Sequence, residues 1–194
     1  MKAFACAMFT FVLVAGQVVQ AATPKDGGLV TLYSRDPVAH TLCFADGEYG
    51  LAVQERQVKN RCSDLDFDNY NPRYFSSGVE GARKAAIIDI GTEQELQAKY
   101  GYQQTYGATH GFSSIQLNNG KLYIRQGDGR AVQEMSTELL LAKPGSLAKS
   151  PVELGHIYLL HIADGYDPSF DLWVKLLVVS YTQGDSVTVR WQRL

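Results

Sequence analysis

Leu172-Trp173-Val174-Lys175-Leu176-Leu177-Val178-Val179-Ser180-Tyr181 is the stretch that decides the fold. Side chains alternate across a strand, so Trp173, Leu177, Val179 and Tyr181 share one face while Leu172, Val174, Leu176 and Val178 share the other. A strand apolar on both faces is covered on both faces. Its sequence neighbours, Ile157–Ile162 and Val187–Trp191, have the length and β-branched content of strands and complete an antiparallel meander. Three strands cannot cover themselves twice, so the meander must pack against the N-terminal part of the chain. The expectation is one mainly β (α+β) domain over residues 22–194, built from antiparallel hairpins and a C-terminal meander, with one or two short helices.

Working outward, residues 142–154 carry Pro144, Gly145, Ser146, Ser150 and Pro151, a linker-like crossover into the meander. Before it, Val132, Met135, Leu139 and Leu140 recur at helical spacing and predict a short helix over 131–141. Asn118-Asn119-Gly120 between Phe112–Leu117 and Lys121–Arg125 signals a hairpin, as does Asp46-Gly47 between Thr41–Phe44 and Tyr49–Val53. Ala85–Ile90 has the composition of a buried strand. Thr92 with Glu95 forms a capping box, predicting a helix that runs to about Tyr100 and ends at Gly101. Tyr102–Gly111, rich in Gly, Thr and Tyr, is expected to be a loop.

The N-terminus has the pattern of an export signal. Lys2 precedes an uncharged apolar run, and Val19-Gln20-Ala21 places small residues at the positions that precede cleavage. Cleavage after Ala21 would remove Cys6 and leave Cys43 and Cys62, an even pair in an oxidising compartment, secreted or periplasmic, where a disulfide is favoured. No transmembrane segment is expected after cleavage. A flat meander with turns near Gly47 and Arg56 would hold the two cysteines about 9.6 Å apart, two strand spacings. A disulfide needs Cα atoms within roughly 7 Å. The bond therefore requires residues 55–62 to leave the sheet.

The full chain has 194 residues, 45% of them hydrophobic, and a formal net charge of −2. That near-neutral balance removes the electrostatic ground for nucleic-acid binding. There is no Gly-x-Ser-x-Gly elbow, no phosphate-cradling Gly-rich loop and no zinc-ligand spacing. Asp64, Asp66 and Asp68 alternate in a way that could gather hard-oxygen ligands for Ca²⁺, although Asn69 and Phe75 stand where an EF-hand requires Gly and Glu. The same alternation also suits a solvated edge with Leu65 and Phe67 packed inward. A second acidic stretch, Asp164–Asp171, has the Gly and Asp-Pro content of a turn. His156 and His161, five apart, fall on opposite strand faces.

Tyr102, Gln104, Tyr106 and His110 cluster aromatic faces, an amide and an imidazole beside glycines, a set suited to a carbohydrate or protein ligand. The leading expectation is an exported, non-catalytic binding or interaction protein. The alternatives are an extracytoplasmic hydrolase using carboxylate acid and base groups, with Asp89 the first suspect, and a structural envelope component.

Overall fold

The computed structural model describes residues 26–50, 63–67, 73–78, 83–101, 110–126, 131–135, 139, 141 and 148–194. In chain order the first elements are β1 (Gly27–Tyr33), β2 (Thr41–Leu42), β3 (Leu65–Phe67), β4 (Tyr74–Ser77), β5 (Arg83–Thr92), α1 (Glu93–Tyr100) and α2 (His110–Ser114). There follow β6 (Ile115–Asn118), β7 (Lys121–Gln126), β8 (Ala131–Glu134), β9 (Ala148–Pro151), β10 (His156–Asp164), β11 (Asp171–Thr182) and β12 (Ser186–Arg193). The described chain is mostly strand, with antiparallel sheets and two short helices.

The central sheet has five strands in the order β1-β12-β11-β10-β5. One of its faces carries Ile87, Tyr158, Leu160, Val174, Leu176, Val189 and Trp191, which pack against Leu42, Phe44, Leu65, Phe67 and Phe75 of the β2–β4 region. There β2, β3, β4 and β9 form a second sheet. The opposite face carries Ile157, Leu159 and Leu177, covered by Leu96 and Tyr100 of α1, Phe112 of α2 and the hairpin residues Leu122 and Ile124. β11 is thus sandwiched, as its two apolar faces require. Each fully buried aliphatic or aromatic side chain in these layers contributes about 1.5–3 kcal/mol of transfer free energy.

Several elements form where the residues dictate. Thr92 caps α1 with its side chain on the Glu95 N–H, and Glu95 returns a bond to the Thr92 backbone. Gly101 ends the helix at φ 71°, in the left-handed region that glycine enters without steric cost. Asn119 and Gly120, at φ 49° and 72°, turn β6 into β7. The predicted strand at Ala85–Ile90 is the centre of the longer β5.

Other expectations are corrected. The predicted helix over 131–141 begins instead as strand β8, because β7 offers a pairing edge from Tyr123 to Gln126 and the gain overrides a short helical periodicity. The predicted strand Phe112–Leu117 begins as α2, which also takes in His110 and Gly111 from the expected loop. Within the linker-like 142–154, Ala148–Pro151 is β9, held by its ladder to Tyr74–Ser77. The Asp46-Gly47 turn forms, but β2 ends at Leu42 because the Cys43 carbonyl accepts from Gly47 N in the turn. Tyr181 does not share a face with Trp173. A bulge between Val178 and Ser180 inverts the alternation, leaving Val179 exposed and turning Tyr181 onto Phe67, at 6.2 Å between ring centroids.

The signal segment and residues 51–62, which include Cys62 and the 55–62 segment, lie outside the described residues. Among the described residues no helix is long and apolar enough to cross a membrane.

Candidate functional site

The first acidic run is divided by its strand. Leu65 and Phe67 point into the core with no exposure, and Asp66 is half-buried, accepting from Ser63 Oγ at 2.7 Å. Asp64 is buried and ion-pairs with Arg83. Its second oxygen accepts from Phe44 N at 2.8 Å. Burial pushes the Asp64 carboxyl up in pKa, opposed by the Arg83 charge and the Phe44 N–H. Asp164, from the second acidic stretch, stands 3.9 Å from Arg83 Nε, and the guanidinium also lies over the Phe170 ring at 4.4 Å. The two acidic segments do meet, but on an arginine: the Arg83 guanidinium stands between Asp64 and Asp164, where a cation bridging the two would have to lie. Asp68 lies outside the described residues.

Asp89 has a different setting. One oxygen accepts from Gly91 N at 2.8 Å and the other bonds His156 Nδ1 at 2.8 Å. Asp89 and Arg83 are six residues apart on β5, about 20 Å by strand rise. The Asp64 and Asp89 carboxylates therefore do not converge. His161 is on the other face of β10, stacked on Trp173 with ring centroids 3.7 Å apart and bonded to Asp171 at 2.6 Å. These two histidines occupy opposite faces, as their spacing implies.

The helix-covered face of the central sheet holds a feature that no spaced motif marks in the sequence. Lys175, in the middle of β11, is only 2% exposed. Its ammonium donates to the Ile115 carbonyl at 3.0 Å and lies 5.0 Å from the centre of the Phe112 ring. Arg190 on β12 lies over the same ring at 5.1 Å. Burial, reinforced by the Arg190 charge, lowers the Lys175 pKa to about 8. The only signal in the sequence was a lysine inside a strand apolar on both faces.

Beside this pair a cleft of about 490 Å³ opens between α2 and the start of β1, lined by Asp26, Gly27, Leu29, Phe112, Arg190 and Gln192, among others. Gly27 lies close against β12: a Cβ there would come within 2.8 Å of the Trp191 carbonyl. A second cleft of about 550 Å³, lined by Thr92, Glu93, Leu154, Leu177 and Val179, lies on the other side of the cross-strand pair Leu177–Arg190. Phe112 N donates to Glu93 at 3.4 Å, which ties the walls of the two clefts together.

Of the expected ligand-facing set, Tyr102, Gln104 and Tyr106 lie outside the described residues. His110 is the first residue of α2, two positions before Phe112. No protein-family model, curated protein or solved structure matches the chain.

Proposed function

We propose that this is an exported, non-catalytic binding protein whose ligand site is the cleft between β1 and α2, and that the ligand carries an acidic group. The observation that carries the proposal is the convergence of Arg190 and Lys175 on one aromatic ring at the wall of this cleft. A cation buried to 2% exposure costs free energy that a merely structural position would avoid, and perturbed ionisable groups concentrate at functional sites. The opposite face of the sheet is sealed by the β2–β3–β4–β9 layer, which leaves the helix-covered face for recognition. Tyr102, Gln104, Tyr106 and His110 lie within ten residues of Phe112 in sequence, and aromatic and amide groups of this kind suit a sugar acid or an acidic peptide.

Export through cleavage after Ala21 and a Cys43–Cys62 disulfide belong to the same proposal. Supporting the bond, Cys43 is buried, and Ser63, the residue after Cys62, is buried with it; Asp64 N bonds the Leu42 carbonyl at 3.0 Å. The chain at Leu42–Cys43 therefore runs beside the segment that begins at Ser63, one residue after Cys62.

Thermal melting with millimolar glucuronate and citrate tests the site. The wild type gains melting temperature with at least one of them, and Arg190→Gln loses most of the gain. No shift with either anion, or an equal shift in Arg190→Gln, overturns the assignment.

A further inference from the structure

Among the described residues, the outer edge of β1 is capped over one half and open over the other. Ser34 N bonds Asp185 O and Arg193 N bonds Asp26 O, which fixes the even-numbered residues of β1 as those that bond β12. The N–H and C=O groups of Gly27, Leu29, Thr31 and Tyr33 therefore point away from the sheet. At the far half they are met: Tyr33 N donates to the Ala39 carbonyl at 2.9 Å, and Tyr49 Oη donates to the Thr31 carbonyl at 3.1 Å. At the near half, among the described residues, no strand lies along the outer side of Gly27 and Leu29. Leu29 is 67% exposed, and both residues line the cleft that holds Arg190.

An exposed sheet edge is a template for another strand. From this geometry we infer that the acidic ligand is an extended peptide segment that adds to the sheet at Gly27–Leu29 and points an acidic side chain over Leu29 to Arg190. The inference rests on the cleft proposed above as the binding site. The register fits it. Leu29 is the cross-strand partner of Arg190, so the two side chains share the cleft face, and a peptide residue opposite Leu29 shares that face too. It would sit two strand spacings, about 9.6 Å, from Arg190. A glutamate and an arginine side chain together cover that span, with the Leu29 side chain as an apolar floor between them. Charge decides the occupant. A second copy would bring its own Arg190 to the seam, like charge toward like charge, along an edge where, among the described residues, Gly27 and Leu29 face outward. A peptide with a central carboxylate meets the same edge with complementary charge.

The test uses the mature protein and the fluorescent peptide acetyl-Thr-Val-Glu-Val-Thr-amide, read by polarisation. Replacing the peptide's Glu by Lys should weaken binding at least tenfold. Methylating the peptide backbone nitrogens that face the sheet should also weaken it at least tenfold, since that removes edge pairing and leaves the side chains. Leu29→Pro removes an outward-facing donor and an exposed side chain but no bond to β12, so it should keep the wild-type melting temperature and weaken the peptide about tenfold. Equal binding of the methylated peptide, or of the Lys peptide, overturns the inference. If glucuronate still shifts the melting temperature through Arg190 in that case, the cleft stands and only the peptide edge falls; if neither probe binds, both fall. A wild-type dimer in sedimentation velocity that Leu29→Pro dissociates would make a second copy the occupant and overturn the peptide as well.

Discussion

Replacing Lys175 with Met should change how stability depends on pH. In the folded protein this ammonium is taken from water and faces Arg190, so its pKa falls from 10.5 to about 8. In the unfolded chain it returns to the ordinary lysine range. Between those values the unfolded state binds more protons than the folded state, so stability rises with pH. At about 1.4 kcal/mol per pKa unit, the charge costs the fold about 3 kcal/mol below pH 8, and that cost is relieved progressively as pH climbs toward 10.5. Lys175→Met removes the titration but leaves the Ile115 carbonyl without its donor, at a cost of about 1–3 kcal/mol. The two effects oppose each other at pH 7, so the absolute difference there is a poor readout. The slope is the informative quantity. Urea unfolding of both proteins at pH 7, 8, 9 and 10 should show wild type gaining about 2 kcal/mol on the variant between pH 8 and 10, and only about 0.4 kcal/mol between 7 and 8. Tyr158, raised by burial, destabilises both proteins alike at high pH and cancels in the difference. A difference that stays constant across this range would mean the ammonium titrates normally, and would remove the electrostatic argument for the cleft.

Other outcomes follow from the same structure. Asp64→Ala leaves the buried Arg83 without its nearest carboxylate, with only Asp164 at 3.9 Å among the described acids, and should cost about 3 kcal/mol in denaturant unfolding. The double variant with Arg83→Met should cost less than the sum of the single changes. Thr92→Ala should cost about 1 kcal/mol through loss of the α1 cap, measured the same way. Millimolar Ca²⁺ or chelator should leave the melting temperature unchanged, since Arg83 holds the Asp64 carboxylate; a rise with Ca²⁺ that Asp66→Asn removes would reinstate the cation site. Alkylation under denaturing, non-reducing conditions should find no free thiol in the mature protein, and its intact mass should begin at Ala22.

The sandwiching of β11 was legible because alternation on both faces is a local pattern with one global solution. The α1 cap and the Asn119-Gly120 turn were legible because a few neighbouring residues determine them. Less accessible was whatever depends on a partner distant in sequence. The Val132–Met135 spacing suits a helix until β7 provides an edge, and Tyr181 changes face only through a bulge in the ladder with β12. The candidate site was hidden for the same reason. Lys175, Arg190 and Phe112 come from three elements and form no spaced motif, and the Asp64–Arg83 pair joins residues that nothing in the sequence brings together.

The most direct test of the binding face is a nitrogen-15 NMR titration of the mature protein with the acidic peptide. Amide shifts concentrated at Gly27–Leu29, Phe112 and Arg190–Gln192 are the expected result. Shifts concentrated instead at Phe44, Leu65 and Phe75 in the opposite layer, or none at millimolar peptide, would contradict it.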